Sequence, residues 1–154
     1  MIKKVVSGFV LMFFACCALY AQKPNEYQVF RGDTINRRDL KGQKQGIWRK
    51  YYRTDTLCSE TFFRNDKPLG TSRTWYESGK LKAEATVRTD GHVSIATSYY
   101  ENGKILAKGC YLDQKKDSVW TYYGENDSIK SVEVYKAGKP DGKWITYYEN
   151  GIKA

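Results

Sequence analysis

Tyr99-Tyr100-Glu101-Asn102-Gly103-Lys104-Ile105-Leu106 decides how this chain folds. Two aromatic strand formers run into Asn-Gly, and two aliphatic residues leave it. Asn-Gly between such residues is a strong hairpin signal, because both central residues of a type I′ turn need positive φ. The pairing predicted about this turn sets Tyr100 opposite Ile105, Tyr99 opposite Leu106 and Ala96 opposite Gly109. The stretch is also one copy among several. Steps of 24 residues from Tyr51 meet Trp75, Tyr99, Tyr123 and Tyr147 without a gap. The neighbouring column reads Tyr52, Tyr76, Tyr100, Gly124, Tyr148, and the next reads Arg53, Glu77, Glu101, Glu125, Glu149.

An ungapped period of this size means stacked copies of one supersecondary unit, in contrast to a globular domain around a single pocket. The tight corner recurs as Glu77-Ser78-Gly79-Lys80 and Glu149-Asn150-Gly151, and in altered form as Asn126-Asp127 and Thr54-Asp55. A second, looser turn falls at Asn65 to Gly70, at Thr89-Asp90-Gly91, and at Ala137 to Gly142. Each repeat is therefore strand, tight turn, strand, looser turn, and no segment carries sustained helical periodicity. The fold class is all-β: an elongated single sheet of stacked antiparallel β-hairpins.

Alternation along the strands separates two faces. One carries Trp48, Trp120 and Trp144 with Tyr52, Tyr76, Tyr100 and Tyr148, and adds Phe63, Val87, Tyr111 and Tyr135 around the small residues Ser59, Ala83, Ala107 and Ser131. Leu57, Leu81, Ile105 and Ile129 are placed on this packed face as well. The other face carries the column Tyr51, Trp75, Tyr99, Tyr123, Tyr147 beside charged positions, with Arg49 expected opposite Glu60 and Arg73 opposite Glu84. An aromatic row amid charges makes this the candidate interaction face: Tyr51, Trp75, Tyr99, Tyr123, Tyr147, Arg49 and Arg73. Such rows also stabilise a sheet by stacking alone.

Residues 1–21 read as a secretory leader: Lys3 and Lys4, then the apolar run Val5 to Leu19, then small residues up to Ala21. The run is shorter than the roughly 20 apolar residues of a membrane span. Cleavage after Ala21 is the main reading; lipid attachment at Cys16 or Cys17 is the alternative. Residues 22–42 form a lead-in that caps the array, and 43–154 form the repeat domain. An exported location, periplasmic or extracellular, follows from the leader.

The formal net charge is +9, with 26 Lys and Arg against 17 Asp and Glu. Basic charge with abundant aromatics suits nucleic acid, an anionic surface or an acidic partner. Export, and acidic residues interspersed throughout, argue against nucleic acid. Beyond the leader only Cys58 and Cys110 remain. Stacked hairpins set them about 20 Å apart, whereas a disulfide needs α-carbons within about 7 Å, so no intramolecular bridge is expected.

Motifs of chemistry are sparse. The single histidine, His92, falls in a loop column with no positioned partner in the sequence. The acidic column Glu77, Glu101, Glu125, Glu149 flanks tight turns beside Lys80 and Lys104 and lacks the dense ligand loop of a calcium site. Phosphate loops, zinc spacings and nucleophile elbows are not seen after the leader. No catalytic residue, metal ligand or cofactor is therefore assigned, and the chain reads as non-enzymatic. Lys44, Lys67, Lys115, Lys116 and Lys139 gather along one loop edge that suits anionic lipid or an acidic protein.

The stretches Gly46-Ile47-Trp48-Arg49-Lys50-Tyr51-Tyr52, Trp75-Tyr76-Glu77-Ser78-Gly79-Lys80-Leu81-Lys82 and Gly142-Lys143-Trp144-Ile145-Thr146-Tyr147-Tyr148-Glu149-Asn150-Gly151 resemble bacterial MORN-repeat variants, more narrowly the YwqK-type antitoxin-component family. The resemblance covers about residues 43 to 154. It implies an elongated sheet of hairpins and contacts with proteins or phospholipids, with no shared catalytic residues. The chain departs from the pattern where Ser72 and Ala96 replace the tryptophan of 48, 120 and 144, where Ser94 and Ser118 replace the glycine of 46, 70 and 142, and where Gly124 replaces the second tyrosine. Looser packing is expected in these middle repeats.

The functional expectation is an exported interaction module, antitoxin-like or scaffolding, that binds a protein partner through the aromatic face. Association with an anionic lipid surface or a glycan is the alternative. The last hairpin, with most of its second strand missing, leaves a strand edge at the C-terminal side that is open to a partner or to oligomerisation.

Overall fold

The computed structural model describes residues 27–88 and 91–154. The expected leader, with Cys16, Cys17 and Ala21, and the turn residues Thr89 and Asp90 lie outside them. The described residues form thirteen strands and no helix. The strands are β1 (Gln28–Phe30), β2 (Asp33–Ile35), β3 (Arg37–Arg38), β4 (Lys44–Tyr51), β5 (Leu57–Arg64), β6 (Lys67–Trp75) and β7 (Leu81–Val87). They continue with β8 (Val93–Tyr99), β9 (Ile105–Leu112), β10 (Lys115–Tyr123), β11 (Ile129–Lys136), β12 (Lys139–Pro140) and β13 (Ile145–Thr146). Strands β3 to β12 follow one another in chain order across a single antiparallel sheet, with β13 also on β11, while β1 and β2 make a separate hairpin. The all-β, single-sheet expectation holds.

The two turn types are exchanged relative to the sequence reading. At the Asn-Gly corner, Gly103 N–H donates to Tyr100 O at 2.9 Å, and Tyr100 N–H donates to Lys104 O at 2.8 Å. Only Gly103, at φ 88°, is left-handed there, so the corner is a type I turn closed by a left-handed residue. The same bond pair recurs about Tyr52, Tyr76, Gly124 and Tyr148, with Asp55, Gly79, Asp127 and Gly151 taking the left-handed position. The two-residue turns with both φ positive lie at the other corners: Asn65-Asp66, Asp113-Gln114 and Ala137-Gly138. Each joins a directly paired couple, Arg64 with Lys67, Leu112 with Lys115, and Lys136 with Lys139.

This exchange corrects the register beside the tight turn. Ile105 faces Tyr99, with Leu106 left over as a bulge, and Ala107 faces Ser98. Leu57, Leu81 and Ile129 likewise pair with Tyr51, Trp75 and Tyr123, not with the neighbouring tyrosine column. Past the bulge the expected register stands: Ala96 pairs with Gly109, Arg49 with Glu60, and Arg73 with Glu84.

A second bulge opens the return strand of most repeats. Gly46, Gly70, Ser118 and Gly142 all have positive φ, and each precedes a Trp-column residue by two. Ser118 holds φ 60° without being glycine. Ser94 has no such conformation, and the β7–β8 ladder runs through it without a shift.

A single sheet has no second layer to cover it, so its side chains must cover it themselves. Trp120, only 4% exposed, lies over β9 and packs with Ala96 and Ala107. A Cβ on Gly109 would come within 2.2 Å of its ring, which explains the glycine in mid-strand. The indole N–H donates to Cys110 O at 3.0 Å, and Tyr111 meets the ring edge-on at a centroid distance of 5.0 Å. Trp144 repeats the hydrogen bond to Val134 O at 3.0 Å but stays 47% exposed. Along the turn edge, Tyr52, Tyr76 and Tyr100 donate their hydroxyls to the carbonyls of Trp75, Tyr99 and Tyr123 at 2.7 to 2.8 Å, clasping each hairpin to the next. Gly124 interrupts this series. Cys58 on β5 and Cys110 on β9 are separate free thiols, as the register requires.

Three substitutions test this packing. Gly109→Val is expected to lift Trp120 and cost about 2–4 kcal/mol in urea unfolding, with a red-shifted tryptophan emission; an unchanged midpoint would show that the ring is not seated there. Tyr76→Phe is expected to cost about 0.5–1.5 kcal/mol, whereas Tyr148→Phe at an exposed position is expected to be neutral. Equal effects of the two would remove the clasp.

Candidate interaction surface

The polar face is organised by one row of directly paired residues that crosses the sheet: Arg49, Glu60, Arg73, Glu84, Thr97, Lys108, Thr121, Val132 and Ile145. Opposite charges alternate through its first half. Arg49 binds Glu60 at 2.7 Å and Asp33 at 2.8 Å, and these two hydrogen bonds, Glu60 first, raise its pKa above the ordinary value. Arg73 meets Glu84 more loosely, at 3.6 Å. Pairs of this exposure contribute about 0.2–1 kcal/mol each. The row thus sets register and leaves little free charge at this end.

The seven candidate residues lie along five successive repeats, but they do not form a freely exposed aromatic strip. Tyr51 stacks on Phe30 with a centroid distance of 4.2 Å, and Arg49 is occupied by its two carboxylates. Tyr99 donates its hydroxyl to Glu84 at 2.9 Å; burial, then that bond, raises its pKa. Trp75, Tyr123 and Tyr147 are half-buried, and Trp75 and Tyr123 offer their carbonyls to the tyrosine clasps.

The exposed apolar surface of this face lies one row beyond the charges. Ile47 is 39% exposed, Phe62 43%, Ile95 53% and Val119 51%. Ile47 and Phe62 are direct partners, and alternation places Ile95 and Val119 on the same side as Thr97 and Thr121. The sequence reading missed this stripe. Its signal was the apolar residue two before Arg49, Thr97 and Thr121, at Ile47, Ile95 and Val119, whereas the same position before Arg73 holds Thr71.

The opposite face carries a trough where the tryptophan column fails. Ser72, Ala85 and Ala96 floor it; Phe63 stands on one side, and Tyr111 and Trp120 on the other. Two adjoining hollows share Thr61, Ser72, Ala85 and Tyr111, with volumes of about 210 and 460 Å³. The looser packing expected of the middle repeats is found at Ser72, whereas the repeats of Ala96 and Ser118 hold the buried cluster of Ala96, Ala107 and Trp120. Lys44 Nζ sits 4.8 Å from the Trp48 ring centroid and 4.7 Å from that of Phe63. Lys116 Nζ lies over Trp120, Tyr122 and Tyr135 and meets the Tyr122 hydroxyl. These two lysines are held on rings, unlike the exposed Lys67, Lys115 and Lys139 of the same edge. Tyr135 is raised in pKa by burial and then by its hydrogen bond to Glu133.

The two sheet edges differ. On the β4 side, Asn36 Oδ1 accepts Arg49 N–H at 2.8 Å and its Nδ2 donates to Arg49 O at 3.0 Å, so one side-chain amide takes the place of a paired residue. Beyond β11 only the two-residue β12 and β13 and one bridge, Tyr147 to Lys153, continue the pairing, and Tyr148 and Ile152 stand exposed. His92 is paired with Asp113 at 2.7 Å on the exposed loop edge. Among the described residues, no group of three or more His, Cys, Asp or Glu converges as a metal site, and no helix is long and apolar enough to cross a membrane.

No curated protein matches the chain significantly. The sequence profile of the MORN repeat variant family matches residues 44–65, 68–88, 94–113 and 140–153. The hairpin of β10 and β11, which holds the departures Ser118 and Gly124, lies between the last two matches and keeps the same pairing and turn. Repeats of this family generally mediate protein or membrane interactions. With half of its length matched and its sheet built of the repeating hairpin, this chain belongs to the MORN repeat variant family.

Proposed function

We propose that this chain is an exported, non-enzymatic module that holds another protein against the polar face of its sheet. The observation that carries this reading is the stripe of Ile47, Phe62, Ile95 and Val119, solvent-exposed and aligned beyond a row of charges. Exposed apolar side chains set among polar groups mark contact sites, and the paired charges Arg49, Glu60, Arg73 and Glu84 beside them hold the strands that present them in register. The aromatic column Tyr51, Trp75, Tyr99, Tyr123, Tyr147 stiffens this platform. Export rests on the leader-like residues 1–21, and an immunity or scaffold role rests on the likeness to the YwqK-type group of bacterial chains. The test compares partners captured from an envelope extract by wild type and by a Phe62→Glu, Ile95→Glu double variant. Loss of specific partners from the folded variant is expected; identical capture would overturn the reading.

The exposed lysines Lys67, Lys115 and Lys139 support a second reading, attachment to an anionic membrane surface. Sedimentation with vesicles containing phosphatidylglycerol at low salt is then expected, weakening as salt rises. No sedimentation at low salt would remove it.

A further inference from the structure

We propose that the trough over Ser72, Ala85 and Ala96 receives an aromatic side chain from an acidic, extended segment of a partner protein. The molecule displays the arrangement itself. Trp120 lies across the strand before it, over Gly109, with its N–H on the Cys110 carbonyl. Two periods earlier, Ser72 stands in the register position of Trp120, Thr61 in that of Gly109, and Phe62 in that of Cys110. The left-handed residue that precedes the tryptophan is also kept, as Gly70 at φ 67°. The backbone of the seat is kept and its ring is missing, while Thr61 in the place of Gly109 makes an entering ring stand beside the threonine side chain and not lie flat on the strand.

The hollow at this seat measures about 210 Å³, and a cavity of about 150 Å³ accepts a benzene ring. Tyr111 and Trp120 line it, and Phe63 lines the adjoining hollow of about 460 Å³, so an entering ring meets aromatic edges on one side and has room toward Phe63 on the other.

Charge selects the segment around that ring. Lys44 borders the Phe63 end and Lys116 the Tyr111 end, each poised over aromatic rings. Two acidic residues line the trough: Asp66 is engaged by the Lys44 backbone N–H at 2.9 Å, and Glu84 is paired with Arg73 at 3.6 Å. Beyond the leader, Lys and Arg still outnumber Asp and Glu, so an acidic segment is favoured and a basic one opposed. This site lies on the face opposite the stripe of Ile47, Phe62, Ile95 and Val119, so it is independent of the function proposed above.

The test uses the full chain and three labelled peptides read by fluorescence polarisation: an acidic peptide with one central tryptophan, the same peptide with alanine there, and a basic tryptophan peptide. Saturable binding of the first is expected, at least tenfold tighter than either control. Ser72→Trp, which fills the seat from within, is expected to weaken it at least tenfold, while Ile95→Glu on the opposite face leaves it unchanged. Circular dichroism and thermal unfolding establish that both variants fold. If Ser72→Trp does not fold, Lys44→Glu serves in its place, with the same tenfold loss expected. Equal binding of the alanine peptide, retention by a folded Ser72→Trp, loss on Ile95→Glu, or no binding at millimolar peptide would each overturn the proposal.

Discussion

The indole of Trp120 lies across Gly109 on the neighbouring strand, and much of the rest follows from that contact. A one-layer sheet cannot bury its side chains between layers, and few side chains here are buried: among the described residues, those of Ile35, Ala96, Ala107 and Trp120. A tryptophan removes about 150–250 Å² from water, so one ring laid flat shields more backbone than several aliphatic residues standing upright. The arrangement needs a small residue beneath, an acceptor for the indole N–H and a backbone that aims the side chain along the sheet. Gly109, the Cys110 carbonyl and the bulge at Ser118 meet these needs.

The same requirement explains the differences among repeats. Over Glu133, Trp144 keeps the indole hydrogen bond and remains half exposed. Trp48 has the ring and the Gly46 bulge, but its buried Nε1 lacks an acceptor among the described residues. At Ser94 and Ala96 both the bulge and the ring are gone, and the β7–β8 ladder regains regular pairing. Bulge and ring therefore come and go together there, whereas Gly70 keeps its bulge beside Ser72. The hollow in the middle of this face is the geometric result.

Much of this was legible in the sequence, because strand alternation and a 24-residue period leave little freedom of register. Arg49 with Glu60, Arg73 with Glu84 and Ala96 with Gly109 were all placed correctly. The turn types were not. Asn102-Gly103 reads as a two-residue turn, yet glycine serves here as the left-handed closing residue of a longer corner, and Asp55 and Asp127 do the same work. Asp113-Gln114 carries a two-residue turn with neither asparagine nor glycine, because the pairing of Leu112 with Lys115 imposes it. Local preference gave way to the ladder. The exposed stripe was legible in position, at Ile47, Ile95 and Val119, but not in exposure, because an apolar residue in a strand does not announce whether anything covers it.

Hydrogen exchange at the tryptophan indoles, followed by NMR, tests most directly whether the sheet is covered in this way. The Trp120 indole N–H should exchange slowest, near the rate of global unfolding, because it is bonded and buried. The Trp144 indole, bonded but exposed, should exchange much faster. Exchange of Trp120 as fast as Trp144 would contradict the seating of that ring on Gly109.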